Sequence, residues 1–182
     1  MNIFVLDPSP TIAATYLCDQ HLNKMLLEST QLLCNSVHAL FRDMERSSPS
    51  THIYREIQLS HPCSLWLLES QENCIWLFQY IEALEHERVI RFPHSQMHAS
   101  CKVALEAQFC LDHVTNEAWE ERKQTNFVQV MPYEYMIPDN PVLGYQRYYR
   151  AKRRSWELVG RTMTWTGRNI PLFMTKTLEV AS

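Results

Sequence analysis

The chain has 182 residues and is 46% hydrophobic and 20% charged, which fits one globular domain with a sizeable core and leaves little room for two. It has neither an apolar run of about 20 residues, as a membrane helix needs, nor the features of a secretory signal, so we expect a cytoplasmic protein. Only three glycines occur, all from position 144 onward, which excludes a glycine-rich phosphate loop in the first 143 residues.

The predicted elements begin with residues 2–7, which form a short buried strand or an extended lead-in. Thr11 caps a short helix that ends at Tyr16. Apolar residues at helical spacing then predict a long helix from Asp19 to about Met44, followed by a loop over residues 46–51. Pro62 suits a first helical turn and opens a second long helix that continues to residue 92.

The second half of the chain contains a further helical region at residues 96–123 and three prolines within residues 127–144. The prolines indicate an irregular crossing segment. Residues 145–160 return to helix, and residues 164–174 form a loop-like tail. We therefore predict an all-α fold, a compact single helical domain over residues 1–182, with one short N-terminal strand at most.

The six cysteines are scattered and contain no C-x-x-C pair, so we interpret them as reduced thiols that are mostly packed inside the protein. Three Cys–His pairs have helical spacing, but no second pair completes a metal site. We expect neither a metal ion nor another cofactor.

A row of polar side chains follows one side of the helix predicted after Asp19. An exposed face with a weak Lys24–Glu28 ion pair is the ordinary interpretation of such a row. This row, however, is rich in His, Asn and Gln, and apolar residues border it on both sides. We therefore predict that it forms the floor of a pocket that includes His21, Lys24, Glu28, Gln31, Asn35 and His38.

The motif C-D-Q-H-L, with Glu28 seven positions after His21, resembles the signature of the pyrimidine-dimer DNA glycosylases of the phage endonuclease V family. Three later stretches, "HPCSLW", "VMPYEYMIP" and "YQRYYRAK", follow in a similar order. Over nearly its whole length the chain also resembles a larger set of uncharacterised phage and bacterial proteins, which share C-D-x-H-x-x-K-M-x-x-E and H-P-C-x-x-W-x-x-E-S.

The resemblance implies a compact all-α enzyme that attacks the anomeric carbon with its N-terminal α-amine, forms an imine and then cleaves the strand. Glu28 would take the role of the family's catalytic glutamate, and His21 would contact the nucleic acid or hold Glu28 in place. A fixed carboxylate suits this chemistry because breaking an N-glycosidic bond builds positive charge on the sugar.

Three nucleophiles remain open. Asn2 follows Met1 where the family has a threonine, so the amine is that of Met1 or that of a partly buried Lys24. The third is a water molecule activated by Glu28, which gives base excision without strand cleavage. The family's phosphate-binding arginines on this helix correspond to Leu27 and Gln31.

The stretch "HPCSLWLLES" adds predicted substrate-binding residues. Pro62 places a helix N-terminus, with free N–H groups, next to His61. Trp66 can stack on a base, although an ordinary core position explains it as well. Glu69 and Ser70 are predicted to turn toward the Glu28 helix.

The basic segment 145–182 has eight lysines and arginines against two glutamates, whereas the rest of the chain has nine against eighteen acidic residues. Cations interleaved with aromatic residues suit contact with a phosphate backbone. Core positions for the tyrosines explain them equally well. The predicted nucleic-acid-binding residues are Tyr145, Arg147, Tyr148, Tyr149, Arg150, Lys152 and Arg154.

The sequence thus predicts an N-glycosidase that excises a damaged or modified pyrimidine from DNA, its partner. A rival hypothesis keeps the pocket and replaces DNA by a free or hypermodified nucleotide. A second rival is a non-enzymatic protein of phage–host interaction. Replacing Glu28 would abolish the effect of an enzyme and leave the effect of an interaction protein intact.

Overall fold

A computed structural model describes residues 1–44 and 52–175 and confirms the predicted all-α fold. The predicted loop at 46–51 lies outside the described residues. Within the described ranges the chain forms α-helices and two short 3₁₀ turns without a sheet. The helices are α1 (Pro10–Tyr16), α2 (Asp19–Asp43), α3 (Pro62–Glu69), α4 (Gln71–Arg91), α5 (Ala99–Leu111), α6 (Pro141–Leu158) and α7 (Leu172–Thr175). The 3₁₀ turns are Asn116–Ala118 and Tyr133–Tyr135.

The amino-terminal segment is an extended lead-in rather than a strand. Ile3, Val5 and Leu6 are completely buried without joining a sheet. The prediction that Thr11 caps α1 is wrong, because Ser9 occupies the N-cap position and Pro10 opens the helix. Proline suits this position since the first N–H groups of a helix have no partner within the helix.

The predicted continuous helix from Pro62 to residue 92 is interrupted at Ser70. Ser70 has extended backbone angles (φ −154°, ψ 141°). Its hydroxyl accepts a hydrogen bond from the Glu72 N–H at 3.1 Å and so caps α4. The Glu69 carbonyl meanwhile accepts a bond from the Glu121 N–H at 2.9 Å. A serine that bonds the backbone two residues ahead offers the chain an alternative to helix, which explains the break.

Helices α2 and α4 pack against each other at the centre of the fold, and α1, α3 and α5 pack around them. A buried ionic network joins the start of α2 to the end of α4. The guanidinium of Arg91 lies 2.7 Å from Glu87 and 3.0 Å from Asp19. Arg168 binds the same Glu87 at 2.8 Å. The network thereby fixes the first turn of α2, the helix that carries the polar row.

All six cysteines are free, and five of them are buried, as the sequence predicts. In the part of the chain that the structure describes, none of the helices is both long and apolar enough to cross a membrane.

Candidate active site

The first residues of the chain lie against the side chain of Glu28. The backbone N–H of Asn2 donates a hydrogen bond to Glu28 Oε2 at 3.1 Å. The Asn2 side chain is itself fixed, because its Nδ2 donates to the Val130 carbonyl at 2.7 Å. Its Oδ1 accepts a bond from the Phe4 N–H at 3.0 Å. These contacts hold the amino end of the chain beside the Glu28 carboxylate.

Phe4 stabilises this arrangement through its ring. Its backbone has φ +39°, in the left-handed region that costs a non-glycine residue roughly 1–3 kcal/mol. The ring stacks on His21 at 5.2 Å between centroids and on Tyr148 at 6.1 Å. Burial of the Phe4 ring in this stack offsets the backbone strain. Phe4 thereby holds its place two residues after Asn2, which contacts Glu28.

The Glu28 carboxylate is sheltered, and its two oxygens face different partners. Oε2 accepts the Asn2 N–H, whereas Oε1 lies 3.5 Å from the ammonium of Lys24. The Glu28 side chain is 17% exposed and the Lys24 side chain 56% exposed. The prediction that Lys24 is partly buried is therefore wrong, because its long side chain extends into solvent.

His61 connects the amino end of α3 to Met1. Its Nδ1 accepts a hydrogen bond from the Cys63 N–H at 3.2 Å and caps the helix. The pKa of His61 is lowered, first by burial and then by the charge of the α-amino group. A hydrogen bond with the Met1 backbone and the charge of Glu28 oppose this shift. Met1, Glu28 and His61 therefore meet at one place.

His21 is buried, and its hydrogen-bonding partner is Tyr149 rather than Glu28. The Nδ1 atom lies 2.7 Å from the Tyr149 hydroxyl. Burial above all, together with the charges of Lys152, Lys24 and Arg161, lowers the pKa of His21 to about 3. The imidazole is thus neutral at physiological pH and acts as part of the core.

Of the other residues in the polar row, Asn35 is buried in the core and Gln31 is partly exposed to solvent. Asn35 is 1% exposed. Its Nδ2 donates to the Ile57 carbonyl at 2.6 Å and to Ser64 Oγ at 3.0 Å. Asn35 therefore fastens the segment before α3 to α2. Gln31 lies one turn beyond Glu28 and is half-buried, like Glu28 itself.

Trp66, Glu69 and Ser70 of the H-P-C-x-x-W-x-x-E-S motif have their contacts with residues other than Glu28. Trp66 is 1% exposed and packs against Trp76 and Phe127, so it has no open face for a base. Glu69 Oε2 accepts a bond from the Thr125 hydroxyl at 2.6 Å. Ser70 is fully buried as the cap of α4. All three side chains are therefore occupied by packing or hydrogen bonds within the protein.

Residues 1–99 match a family model described as pyrimidine dimer DNA glycosylase. The match covers more than half of the chain and includes the amino-terminal segment, Glu28 and helices α1–α4. The chain belongs to the pyrimidine dimer DNA glycosylase family. Membership supports a DNA glycosylase-like function, with DNA as the partner. No curated protein and no solved structure matches the chain.

Helix α6 lies beyond the residues that match the family model, and its side chains pack against Phe4, two residues after Asn2. Two of its tyrosines, Tyr145 and Tyr149, are fully buried in the core. Tyr148 and Lys152 instead line a cavity of 260 Å³ on the surface. We call this cavity the aromatic pocket, which is lined mainly by Glu134, Tyr135, Tyr148, Lys152, Ser155 and Trp156.

The arginines predicted to bind nucleic acid lie elsewhere on α6. Arg150 and Arg154, together with Arg153, line a cavity of 420 Å³ against residues 170–175. At 100° per residue, Arg150 and Arg154 are on the opposite flank of the helix from Lys152. Arg147 is exposed. The basic stretch therefore presents two separate surfaces, and the aromatic pocket is the one that adjoins Phe4.

Three further site residues escaped the sequence prediction. Trp156 lines the aromatic pocket, and the guanidinium of Arg161 stacks 4.2 Å from its ring. Trp156 follows Lys152 by one helical turn, so the periodicity of α6 could have indicated it. Tyr135 belongs to the irregular proline segment, where no periodicity predicts which residue faces α6.

Proposed function

We propose that this protein excises a damaged or modified pyrimidine from DNA, with the α-amino group of Met1 as nucleophile and Glu28 as the catalytic carboxylate. The observation that carries the proposal is the 3.1 Å hydrogen bond from the Asn2 N–H to Glu28 Oε2. It places the amino end of the chain at a sheltered carboxylate, whereas Lys24 extends into solvent.

In the proposed reaction the neutral amine attacks C1′ of the sugar, and the bond from C1′ to the base breaks. Glu28 stabilises the positive charge that develops on the sugar and accepts the proton that the amine loses. The covalent product opens to an imine, from which strand cleavage can follow. His61 positions the amine through its hydrogen bond with the Met1 backbone.

The surroundings of Glu28 suit a nucleic-acid substrate. The charges of Lys24, Glu28 and Arg161 all act on Lys152, so the three cations lie in the same part of the molecule as Glu28. Cations near aromatic rings are typical of surfaces that hold phosphates and unstacked bases. A target base in duplex DNA would be flipped out or the duplex distorted, because C1′ is otherwise poorly accessible.

Borohydride trapping tests this proposal. Duplexes carrying one abasic site, ultraviolet photodimers or phage-modified pyrimidines are incubated with the protein under borohydride, and the adduct is mapped by peptide mass spectrometry. We expect the adduct on the N-terminal peptide, and intact mass identifies the residue that carries the amine. We expect Glu28→Gln to slow base release about 10²-fold or more, the effect typical of a lost general base.

Two variants serve as controls. The exposed Glu72 of α4 lies outside the site, so Glu72→Gln should act like the wild type. Lys24→Ala should still form the adduct. An adduct that maps to Lys24 would contradict the role of the α-amine, and base release without any adduct would indicate water as the nucleophile.

A further inference from the structure

In the proposed reaction the departing base needs a group that neutralises its negative charge. When the C1′–N1 bond breaks, its electron pair remains on the pyrimidine, which becomes an anion unless it is protonated. The amine and Glu28 both act on the sugar and cannot neutralise this charge. A cation or acid on the base side would lower the barrier by general acid catalysis.

Lys152 is a cation in a suitable place. Its Nζ atom lies 5.9 Å from the ring centroids of both Phe4 and Trp156, at the edge of the aromatic pocket. Tyr135 and Tyr148 form another wall of this pocket, with their ring centroids 5.5 Å apart. Within the described residues no carboxylate lies within 4.0 Å of the Lys152 ammonium, which is thus available to a ligand.

A short chain of contacts connects this pocket to the proposed catalytic carboxylate. Glu28 accepts the Asn2 N–H, Asn2 Oδ1 accepts the Phe4 N–H, and the Phe4 ring lies beneath the Lys152 ammonium. The pKa of Lys152 is lowered, first by burial and then by the charge of Lys24. A lysine with a lowered pKa gives up its proton more readily.

We propose, on the basis of the proposed function, that Lys152 is a catalytic residue that donates a proton to the departing pyrimidine in the aromatic pocket. The amine nitrogen forms its bond to C1′ as the C1′–N1 bond breaks. The electron pair of that bond moves to the base, which takes a proton from the Lys152 ammonium. Glu28 receives the proton lost by the amine, so protons and charge balance.

The test separates base departure from attack on the sugar. Borohydride adducts are measured under single-turnover conditions on two duplexes, one carrying the pyrimidine that the wild type releases and one carrying an abasic site. The abasic sugar has no base to expel. We therefore expect Lys152→Gln to slow adduct formation on the base-containing duplex about 10²-fold and to change it less than about twofold on the abasic duplex.

Two further variants complete the design. Lys152→Arg keeps the charge but holds its proton, so it should restore little of the lost rate. The exposed Lys102 of α5 supplies the control for loss of one positive charge, and Lys102→Gln should leave both rates unchanged.

The remaining outcomes would contradict either the role of Lys152 or the proposed function. Equal loss on both duplexes would show that Lys152 binds DNA or supports the fold, and this would overturn the inference. Unchanged rates on both duplexes, or full restoration by Lys152→Arg, would overturn it as well. A wild-type protein that forms no adduct with either duplex would instead contradict the proposed function itself.

Discussion

At the scale of single residues, the cluster around His21 shows a histidine used as a neutral core residue. The Tyr149 hydroxyl accepts the Cys18 N–H at 3.0 Å and lies within hydrogen-bonding distance of both Cys18 Sγ (3.2 Å) and His21 Nδ1 (2.7 Å). A protonated imidazole would place a positive charge among these buried neutral groups, where water cannot solvate it. The motif D-Q-H-L therefore has a structural role in addition to marking the helix of Glu28.

This arrangement predicts an acid-dependent loss of stability. The pKa of His21 is lowered from 6.5 to about 3, so between these pH values the unfolded chain binds a proton that the folded protein excludes. The free energy of unfolding should fall as the pH drops below about 6.5, by up to about 1.4 kcal/mol per pH unit.

Urea unfolding measured from pH 7 down to pH 4.5 gives this slope. The range ends at 4.5, the ordinary pKa of glutamate, because below it the carboxyl groups also take up protons. Because the pKa values of His61 and His98 are also lowered, the informative quantity is the difference between wild type and His21→Gln. The variant should have a shallower slope. Parallel slopes would show that His21 is protonated equally in the folded and unfolded states.

At the scale of elements, the junction of α3 and α4 is held by side chains rather than by helix propensity. Asn73 is fully buried, and its Nδ2 donates to the Trp66 carbonyl at 2.7 Å and to Thr125 Oγ1 at 2.8 Å. Its Oδ1 accepts the Thr125 N–H at 3.0 Å. One amide thus binds the last turns of α3 to a segment about fifty residues away.

We predict that Asn73→Ala lowers the free energy of unfolding by roughly 1–3 kcal/mol, because it leaves a buried carbonyl and a buried N–H without partners. The exposed Gln79 of the same helix provides the control, and Gln79→Ala should change stability by less than about 0.5 kcal/mol. Chemical denaturation of both variants measures the difference. Equal stability of the two variants would mean that solvent replaces the missing hydrogen bonds.

At the scale of the whole molecule, the basic C-terminal part of an otherwise acidic protein presents two cationic surfaces. One lies next to Glu28 and includes Lys24, Lys152 and Arg161, since the charges of Lys24, Glu28 and Arg161 all act on Lys152. The other is the cavity with Arg150 and Arg154 on the opposite flank of α6. Both are suited to phosphates, and binding measured against salt concentration distinguishes them.

We predict that the double variant Arg150→Gln, Arg154→Gln binds DNA more weakly than the wild type. The slope of log K against log salt concentration should become shallower by about 1.8, because each phosphate that an arginine neutralises contributes about 0.9. Fluorescence anisotropy with duplex DNA at several salt concentrations measures the slope. The exposed residues Lys102 and Lys123 supply a control with the same change in net charge. A slope equal to that of this control would show that the arginine cavity does not hold phosphate.

Much of the fold follows from local sequence rules. Helical periodicity predicts the ends of α2 to within one residue, and Pro62 predicts the start of α3. The D-Q-H-L motif at the start of α2 points to Glu28, two helical turns after His21, on the same helix. The break at Ser70 could not be predicted in this way. The hydrogen bonds around it reach residues 121–125, and a pattern read along the chain contains no information about partners that distant.

Composition, periodicity and short motifs were enough to predict the helical architecture, the free and mostly buried cysteines and the resemblance to a glycosylase family. Tertiary packing decided which polar residues face the site. It buried His21, Asn35 and Trp66, left Lys24 in solvent, and brought the amino end of the chain to the Glu28 carboxylate. The physical reason is that burial and charge proximity depend on contacts between residues 26 to more than 100 positions apart.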